Sequence, residues 1–598
     1  MLEHRIRIAI LLLASSRRCL AEDLPRTDVV RTASGPVRGV IKKTVWNSVE
    51  YSAFLGIPYA EPPLANLRFK PPVPISPWNE VLDAVEEGNA CPQIDFFTAR
   101  YTGNEDCLYL NVFTRHAKVR RRAAASIFES SRNLRRRRKF RNGTGPRPVM
   151  VWIYGGAYLA GYSNASFYGP DFFLEEDVVF VSFNYRIGAL GFLSLDHPDA
   201  SGNAGLKDQH LVLKWVQKNI AAFGGNPREV TIFGESAGAA SVGFHILSER
   251  SIGLFHRSIG MSGTPLCQWA YHTPAEAYRS AAELAQLLGK AEITKTGLLE
   301  LLRDVPADAL VNQAMKLNLN DLLPFRPTIE DPAVATDDSA FMTECPIRKY
   351  LTGNFTQHPM MMGRTHDEAL FFLDDYVGNP SDRAKTMSKW LGQVTNIDEI
   401  LTDRISDAMA FNLDQTSPEF LEQILAMLTD VFFTAPIDLT QRIVSRWNSG
   451  YPIYYYRLSY TSAYSVHSLV GQTVKGTGHV DDIGDLFNVA SLNAPTDPKH
   501  PFNIFRRKMV RLWTNFAKQG DPTPKVSSRR TDEEFDVIWT DSTESGMQLD
   551  IKEESVMRPR LVDYVAQTYE EALFARLPFQ SACIDLSLIP LGIFKLQL

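Results

Sequence analysis

Residues Phe223 to Ser241 read FGGNPREVTIFGESAGAAS, and the reading of this stretch decides the fold. The apolar run Val230-Thr231-Ile232-Phe233 predicts a buried strand, and the small residues Ala237 to Ser241 predict the first turns of a helix. Ser236 lies between them. In so sharp a strand-to-helix turn its backbone is strained, and a side chain at Gly234 or Gly238 would collide with neighbouring backbone. The hydroxyl is thereby pushed out at the carboxyl end of the sheet, and the Ala237 amide at the helix start points at any oxygen that becomes negative. A bare Gly-x-Ser-x-Gly recurs by chance; the whole stretch is far more specific.

Upstream, Pro148 to Tyr154 (PVMVWIY) predicts a strand ending in Gly155-Gly156-Ala157. Small residues there let backbone amides approach a bound molecule. Asp177 to Phe183 predicts another strand, and the apolar spacing from Leu206 to Phe223 predicts a helix. Strands alternating with helices imply an α/β protein with a mostly parallel sheet covered on both faces. Alternating segments from Val29 to Val73 suggest an antiparallel edge, within which YSAFLGIPYAEPPLANLRFKPP (Tyr51 to Pro72) reads as a proline-rich surface segment. Downstream, strands are expected at His256 to Met261, Pro359 to Gly363 and Pro452 to Leu458, with helices dominating Ala275 to Leu302. Amphipathic sequence from Ala384 to Trp447 should pack over the sheet as a cap, and a helix from Ile504 to Lys518 should close the fold.

The 598 residues are 44% hydrophobic and 11% aromatic, a globular composition. No uninterrupted apolar window of about 18 residues is present to span a bilayer. The start, MLEHRIRIAILLLASSRRCLAEDL, has the basic, apolar and small-residue order of a secretory signal ending near Ala21. Sequons at Asn142, Asn164 and Asn354 agree with export and a glycoprotein. Of six cysteines, Cys19 leaves with the signal, and Cys91 and Cys107 flank a polar, aromatic loop. A bridge there would stabilise the fold by about 3 kcal/mol. Cys267, Cys345 and Cys583 form an odd remainder, so at least one thiol is free unless chains cross-link; Cys267, in an apolar run, reads as a buried, inert one.

Arg115 to Arg147 breaks the composition around it, with 13 Lys or Arg and one acid, Glu129. Such a block reads as a solvated, disordered loop. Contact with a polyanionic surface, processing at Arg135 to Lys139 and a retained intron are the alternatives. No nucleic-acid motif accompanies it.

A serine hydroxyl needs a base within hydrogen-bond reach and a carboxylate that fixes the imidazole. In doubly wound hydrolases the chain order is serine, acid, histidine. Glu368, at a strand end in Arg364-Thr365-His366-Asp367-Glu368-Ala369-Leu370, is preferred over Asp367 as the acid. Only His467, His479 and His500 follow it. His479 sits between glycines and acids in Gly476-Thr477-Gly478-His479-Val480-Asp481-Asp482-Ile483; His467 and His500 read as surface residues, and His366 is too near the acid. Asp481 and Asp482 read as helix-start acids. No HExxH, paired CxxC or phosphate-cradling loop occurs, so no metal and no cofactor are expected.

With EDCLYLNVF at Glu105 to Phe113, FGGNPREVTIFGESAG, YGGAY at Tyr154, THDEA at Thr365 and GHVDD at Gly478, the chain resembles the type-B carboxylesterase and cholinesterase family, most of all its insect carboxylesterases. The resemblance runs from about Val29 to Trp539. It implies the α/β-hydrolase fold, a central, mostly parallel twisted sheet flanked by helices with a helical cap region. The layout would be a signal at 1–21, one hydrolase domain at 22–580 carrying the basic insert 115–147, and a tail at 581–598. It also implies a triad of Ser236, Glu368 and His479, an oxyanion hole of the Gly156, Ala157 and Ala237 amides, a Cys91–Cys107 bridge, a free Cys267, and a pocket bordered by Glu235 and Trp269. The expected activity is a secreted serine carboxylesterase acting on small, neutral, apolar esters, with neither nucleic acid nor a membrane span involved. Cholinesterases carry a tryptophan in the first disulfide loop; Gln93 to Asp106 has none. Juvenile hormone esterases typically carry Gln where Glu235 stands, yet such an enzyme remains an alternative. A non-catalytic, adhesion-type relative is the rival from another class, although such chains usually lose the serine or histidine.

Overall fold

The computed structural model describes residues 24–117, 145–289, 294–317, 323–335, 339–376, 418–470, 474–524 and 537–560. The signal segment, most of the basic insert, Asn142, Cys583, residues 384–417 of the expected cap and the tail lie outside them.

One sheet organises the chain. Its strands are β1 (Val40–Lys43), β2 (Glu50–Pro58), β3 (Tyr109–Thr114), β4 (Arg147–Ile153), β5 (Val179–Phe183), β6 (Gly225–Glu235), β7 (Arg257–Met261), β8 (Met360–Thr365), β9 (Ile453–Leu458), β10 (Met547–Ile551) and β11 (Val556–Pro559). Their order across the sheet is β11-β10-β9-β8-β7-β6-β4-β5-β3-β2-β1. From β5 through β10 neighbouring strands run parallel, and the strands beyond them on both sides pair antiparallel. The mostly parallel sheet of an α/β protein is thus present.

Parallel strands need crossover connections, and helices provide them. Helix α1 (Ala204–Asn219) precedes β6 and α2 (Ala237–Leu247) follows it. Helix α3 (Ala435–Trp447) leads into β9, α4 (Asp481–Leu486) comes after it, and α5 (Pro501–Gln519) precedes β10. With both faces covered, the central strands carry buried apolar runs: Val149 to Ile153, Val179 to Val181 and Ile232 to Phe233. Beside them an aromatic cluster fills one layer, with the Trp152 ring centroid 4.8 Å from those of both Phe233 and Phe487. Each such ring contributes about 1.5–3 kcal/mol on burial.

The chain reverses direction across the sheet at β4, which has β5 on one side and β6 on the other. In open α/β sheets the crevice at the carboxyl ends of strands flanking such a switch point receives ligands. The register pairs Ile153 with Gly234, so the Gly155-Gly156-Ala157 run and Ser236 emerge side by side.

Two expectations are corrected. Tyr51 to Pro58 is no surface segment but lies in β2, with Ala53, Phe54, Leu55 and Ile57 buried between β1 and β3. Nor does the helix ending at Gln519 close the fold, since β10 and β11 extend the sheet beyond it.

Candidate active site

At the end of β6 the backbone of Ser236 adopts φ 58°, ψ −124°. A non-glycine residue held there costs roughly 1–3 kcal/mol unless its surroundings impose the conformation. Here they do. A Cβ on Gly238 would lie 2.0 Å from the Ile153 carbonyl oxygen, and one on Gly234 would lie 2.6 Å from both Gly238 O and Ile153 O. The Ser236 amide donates to Met261 O on β7 at 2.8 Å. Backbones of β4, β6 and α2 therefore meet in a contact only glycine permits, and the serine side chain is the group that projects from it.

Beside it, the segment leaving β4 turns through left-handed residues Gly156 (φ 106°), Ala157 (φ 56°) and Tyr158 (φ 58°). The Gly156 carbonyl accepts from the amides of Leu159 and Ala160 at 2.9 and 3.0 Å, which fixes the turn. Among the described residues no hydrogen bond engages the amides of Gly156, Ala157 or Ala237.

Glu368 follows β8 and is fully buried. Its Oε1 accepts from the Thr365 amide at 2.8 Å, and its Oε2 lies 2.6 Å from His479 Nδ1. The His479 amide in turn donates to the Glu368 carbonyl at 3.1 Å. Asp367 is turned the other way: its Oδ2 accepts from the Thr477 amide at 3.0 Å and its Oδ1 meets exposed His366 at 2.7 Å. The structure thus brings Glu368, rather than its neighbour, to the imidazole.

The other imidazole nitrogen, Nε2, faces Glu235, 3.1 Å from Oε1, although the ring is not aligned for a hydrogen bond. No hydrogen bond joins His479 to Ser236 Oγ among the described residues. Glu235 is buried rather than an open pocket wall. Burial first, and the neighbouring Asp482 and Glu368 carboxyls second, push its pKa well above the usual carboxylate range. Asp482, buried with neither oxygen hydrogen-bonded among the described residues, is raised for the same reasons.

His467, expected at the surface, is instead buried, with Nδ1 2.6 Å from Asp481 Oδ2. That oxygen also accepts from the Gly478 amide at 2.6 Å, while Oδ1 accepts from the His467 amide at 3.0 Å. Asp481 and Asp482 do open α4, yet Asp481 also locks the turn that carries His479. His500 caps α5 by accepting from the Phe502 amide.

Rings enclose the imidazole: the centroids of Phe433, Phe372 and Phe371 lie 4.7, 5.5 and 6.3 Å from it. Phe433 belongs to a π-helical turn, Asp430–Thr434, of the kind that often marks a functional site. Trp269 anchors that turn through Nε1 to Phe432 O at 3.1 Å and packs 5.9 Å from Phe433. Its ring edge also borders Gly263, whose missing Cβ leaves room for Ser236 O. None of these aromatic contacts was legible beforehand, beyond the placing of Trp269.

Comparison with known proteins identifies the family. The carboxylesterase family profile matches residues 26–568. The chain belongs to the carboxylesterase family. It is 34% identical to an acetylcholinesterase of Bungarus fasciatus over 520 residues, covering 83% of this chain and 78% of that one. It is 30% identical to a juvenile hormone esterase of Tribolium castaneum, covering 84% of this chain and 85% of the relative. For a carboxylic ester hydrolase of Bombus ignitus the identity is 32%, with 84% and 86% covered. Among solved structures, the juvenile hormone esterase of Manduca sexta with OTFP covalently attached superposes with a TM-score of 0.75 at 26% identity, covering 91% of this chain and 98% of that one. The α/β-hydrolase fold of this carboxylesterase follows from both comparisons.

The carboxylesterase holds a Cys91–Cys107 disulfide, and Cys345 is also disulfide-bonded. Cys267 is the free cysteine among the described residues; burial pushes its thiol up to about 12, leaving it protonated and unreactive. Asn354 is exposed, whereas Asn164 is half-buried and accepts from the Ser166 amide at 2.5 Å. No described helix is long and apolar enough to cross a membrane.

Proposed function

We propose that Ser236, Glu368 and His479 are the nucleophile, orienting acid and general base with which this carboxylic-ester hydrolase cleaves small, neutral, apolar esters. The observation that carries the reading is the 2.6 Å Glu368–His479 contact set beside the strained Ser236 turn. With Nδ1–H held by Glu368, Nε2 is the proton acceptor. Catalytic hydrogen bonds are commonly long without substrate and tighten in the complex. Nε2 therefore exchanges its Glu235 contact for the Ser236 hydroxyl as that oxygen attacks the ester carbonyl. The amides of Gly156, Ala157 and Ala237 receive the resulting oxyanion. The alcohol departs with the proton from Nε2, and water repeats the sequence on the acyl-enzyme.

The aromatic enclosure around His479 favours apolar acyl or alcohol groups. A juvenile hormone esterase-like activity is the second reading, favoured by the likeness to the Manduca sexta enzyme and opposed by Glu235. Export through the amino-terminal signal, with glycans at exposed Asn354, completes the proposal; Asn142 and Asn164 are further acceptors. The non-catalytic rival is disfavoured because serine, acid and imidazole are all retained.

The test is p-nitrophenyl acetate hydrolysis by purified protein. Ser236→Ala should lower kcat by on the order of 10⁴-fold or more with thermal unfolding unchanged. Retained turnover would overturn the assignment.

A further inference from the structure

Phe96 and Phe97 are exposed by 53% and 51%, on consecutive residues. Single exposed apolar side chains are ordinary, but adjoining ones linked ring to ring with the His479 imidazole call for an occupant. They sit at the tip of the loop closed by Cys91–Cys107. Within it Gln93–Ile94 pairs with Tyr101–Thr102 as a small hairpin. Asp95 ties the turn, its Oδ1 accepting from the Thr98 amide at 2.8 Å and its carbonyl accepting from the Ala99 amide at 2.8 Å. Buried Gln93 fastens the base to Gly161, accepting from its amide at 2.7 Å and donating to its carbonyl at 3.0 Å. The two rings are therefore held out on a rigid support rather than on a loose strand.

From this tip the rings lead inward. Phe97 lies 5.8 Å from Phe96, and Phe96 stacks on Phe371 at 5.5 Å with an 18° tilt. Phe371 is 6.3 Å from the His479 imidazole. Phe167 flanks Phe97 at 5.9 Å. A chain of ring contacts thus links the exposed pair to the imidazole.

We propose that Phe96 and Phe97 form an outer subsite that receives the far end of a long aliphatic arm of the ester. The inference rests on the assignment of Ser236 and His479 above. The successive ring spacings of 6.3, 5.5 and 5.8 Å between the imidazole and Phe97 set the ligand: an acetyl group at Ser236 is too short to reach the tip, whereas a long extended chain is not. Because the hairpin already fixes them, binding gains the apolar contact with little further loss of side-chain freedom. Selectivity for long over short chains is the consequence.

The experiment compares kcat/KM for p-nitrophenyl decanoate and acetate in the full chain carrying Phe96→Ala, Phe97→Ala or both, with Ile252→Ala, an exposed apolar residue elsewhere, as control. The decanoate-to-acetate ratio should fall on the order of tenfold in the double variant, mainly through KM. Phe96→Leu should restore part of it, and Ile252→Ala should leave the ratio as it was. Equal losses for both esters, or an unaltered ratio in active variants, would overturn the subsite alone. An inert wild-type protein would overturn the esterase assignment and the subsite with it.

Discussion

The two halves of the proposed catalytic centre are built by opposite means. The Ser236 turn is held by backbone against backbone: glycines remove every side chain that would separate β4, β6 and α2. The His479 turn is held by acidic side chains and one carbonyl. Asp367 takes the Thr477 amide, Asp481 takes the Gly478 amide, and the Glu368 carbonyl takes the His479 amide. Val480, at φ 66°, is left-handed without being glycine, so these bonds must also offset its strain. The first construction tolerates no added atom. The second tolerates change in proportion to the hydrogen bond lost.

The comparison is broken most severely at Gly238. Gly238→Ala places a methyl group 2.0 Å from Ile153 O, which backbone in the sheet centre cannot yield to. We expect destabilisation of more than about 4 kcal/mol and loss of soluble, active protein together, measured by urea denaturation and esterase assay. A variant as stable as wild type would show that the tight approach is not needed. The corresponding lesion in the other half is Asp481→Asn. It sets an amide nitrogen among donors from Gly478 and His467, and should cost about 1–3 kcal/mol. The chain should still fold, with kcat lowered roughly tenfold and KM little altered. If kcat is unchanged, the turn is held by Glu368 and Asp367 alone.

This contrast also explains what was legible in the sequence. Gly234, Ser236 and Gly238 fall within five consecutive residues, so their spacing announces the strand, the turn and the helix at once, although the backbone they admit, that of Ile153, is distant in the chain. Glu368 and His479 could be ordered along the chain, and the family motifs singled them out. His467 was misread because its burial depends on Asp481, 14 residues away, and no local pattern encodes that pairing. Tyr51 to Pro58 was misread because the prolines after it masked a strand buried on both faces. The strands after Gln519 went unassigned because short edge strands carry little periodicity. The Phe371, Phe372 and Phe433 enclosure joins segments far apart in sequence, which only the fold could assemble.

A pH-dependent effect sharpens the comparison at the point where the two halves touch. Glu235 belongs to the serine strand and faces the imidazole of the other turn. Its pKa is raised in the folded chain, chiefly by burial and then by Asp482 and Glu368. In the unfolded chain it returns to its ordinary value. Below that range both states hold the proton and Glu235 contributes no pH dependence. Above it the unfolded state releases the proton while the folded state keeps it. Stability therefore declines as pH rises, by up to about 1.4 kcal/mol per pH unit, until the folded group also ionises. Glu235→Gln should remove this contribution, so that the variant gains on wild type in urea titrations as pH rises above the ordinary carboxylate range. An identical pH slope in the two proteins would mean that Glu235 is ionised in the folded state, its charge balanced by the imidazole it faces.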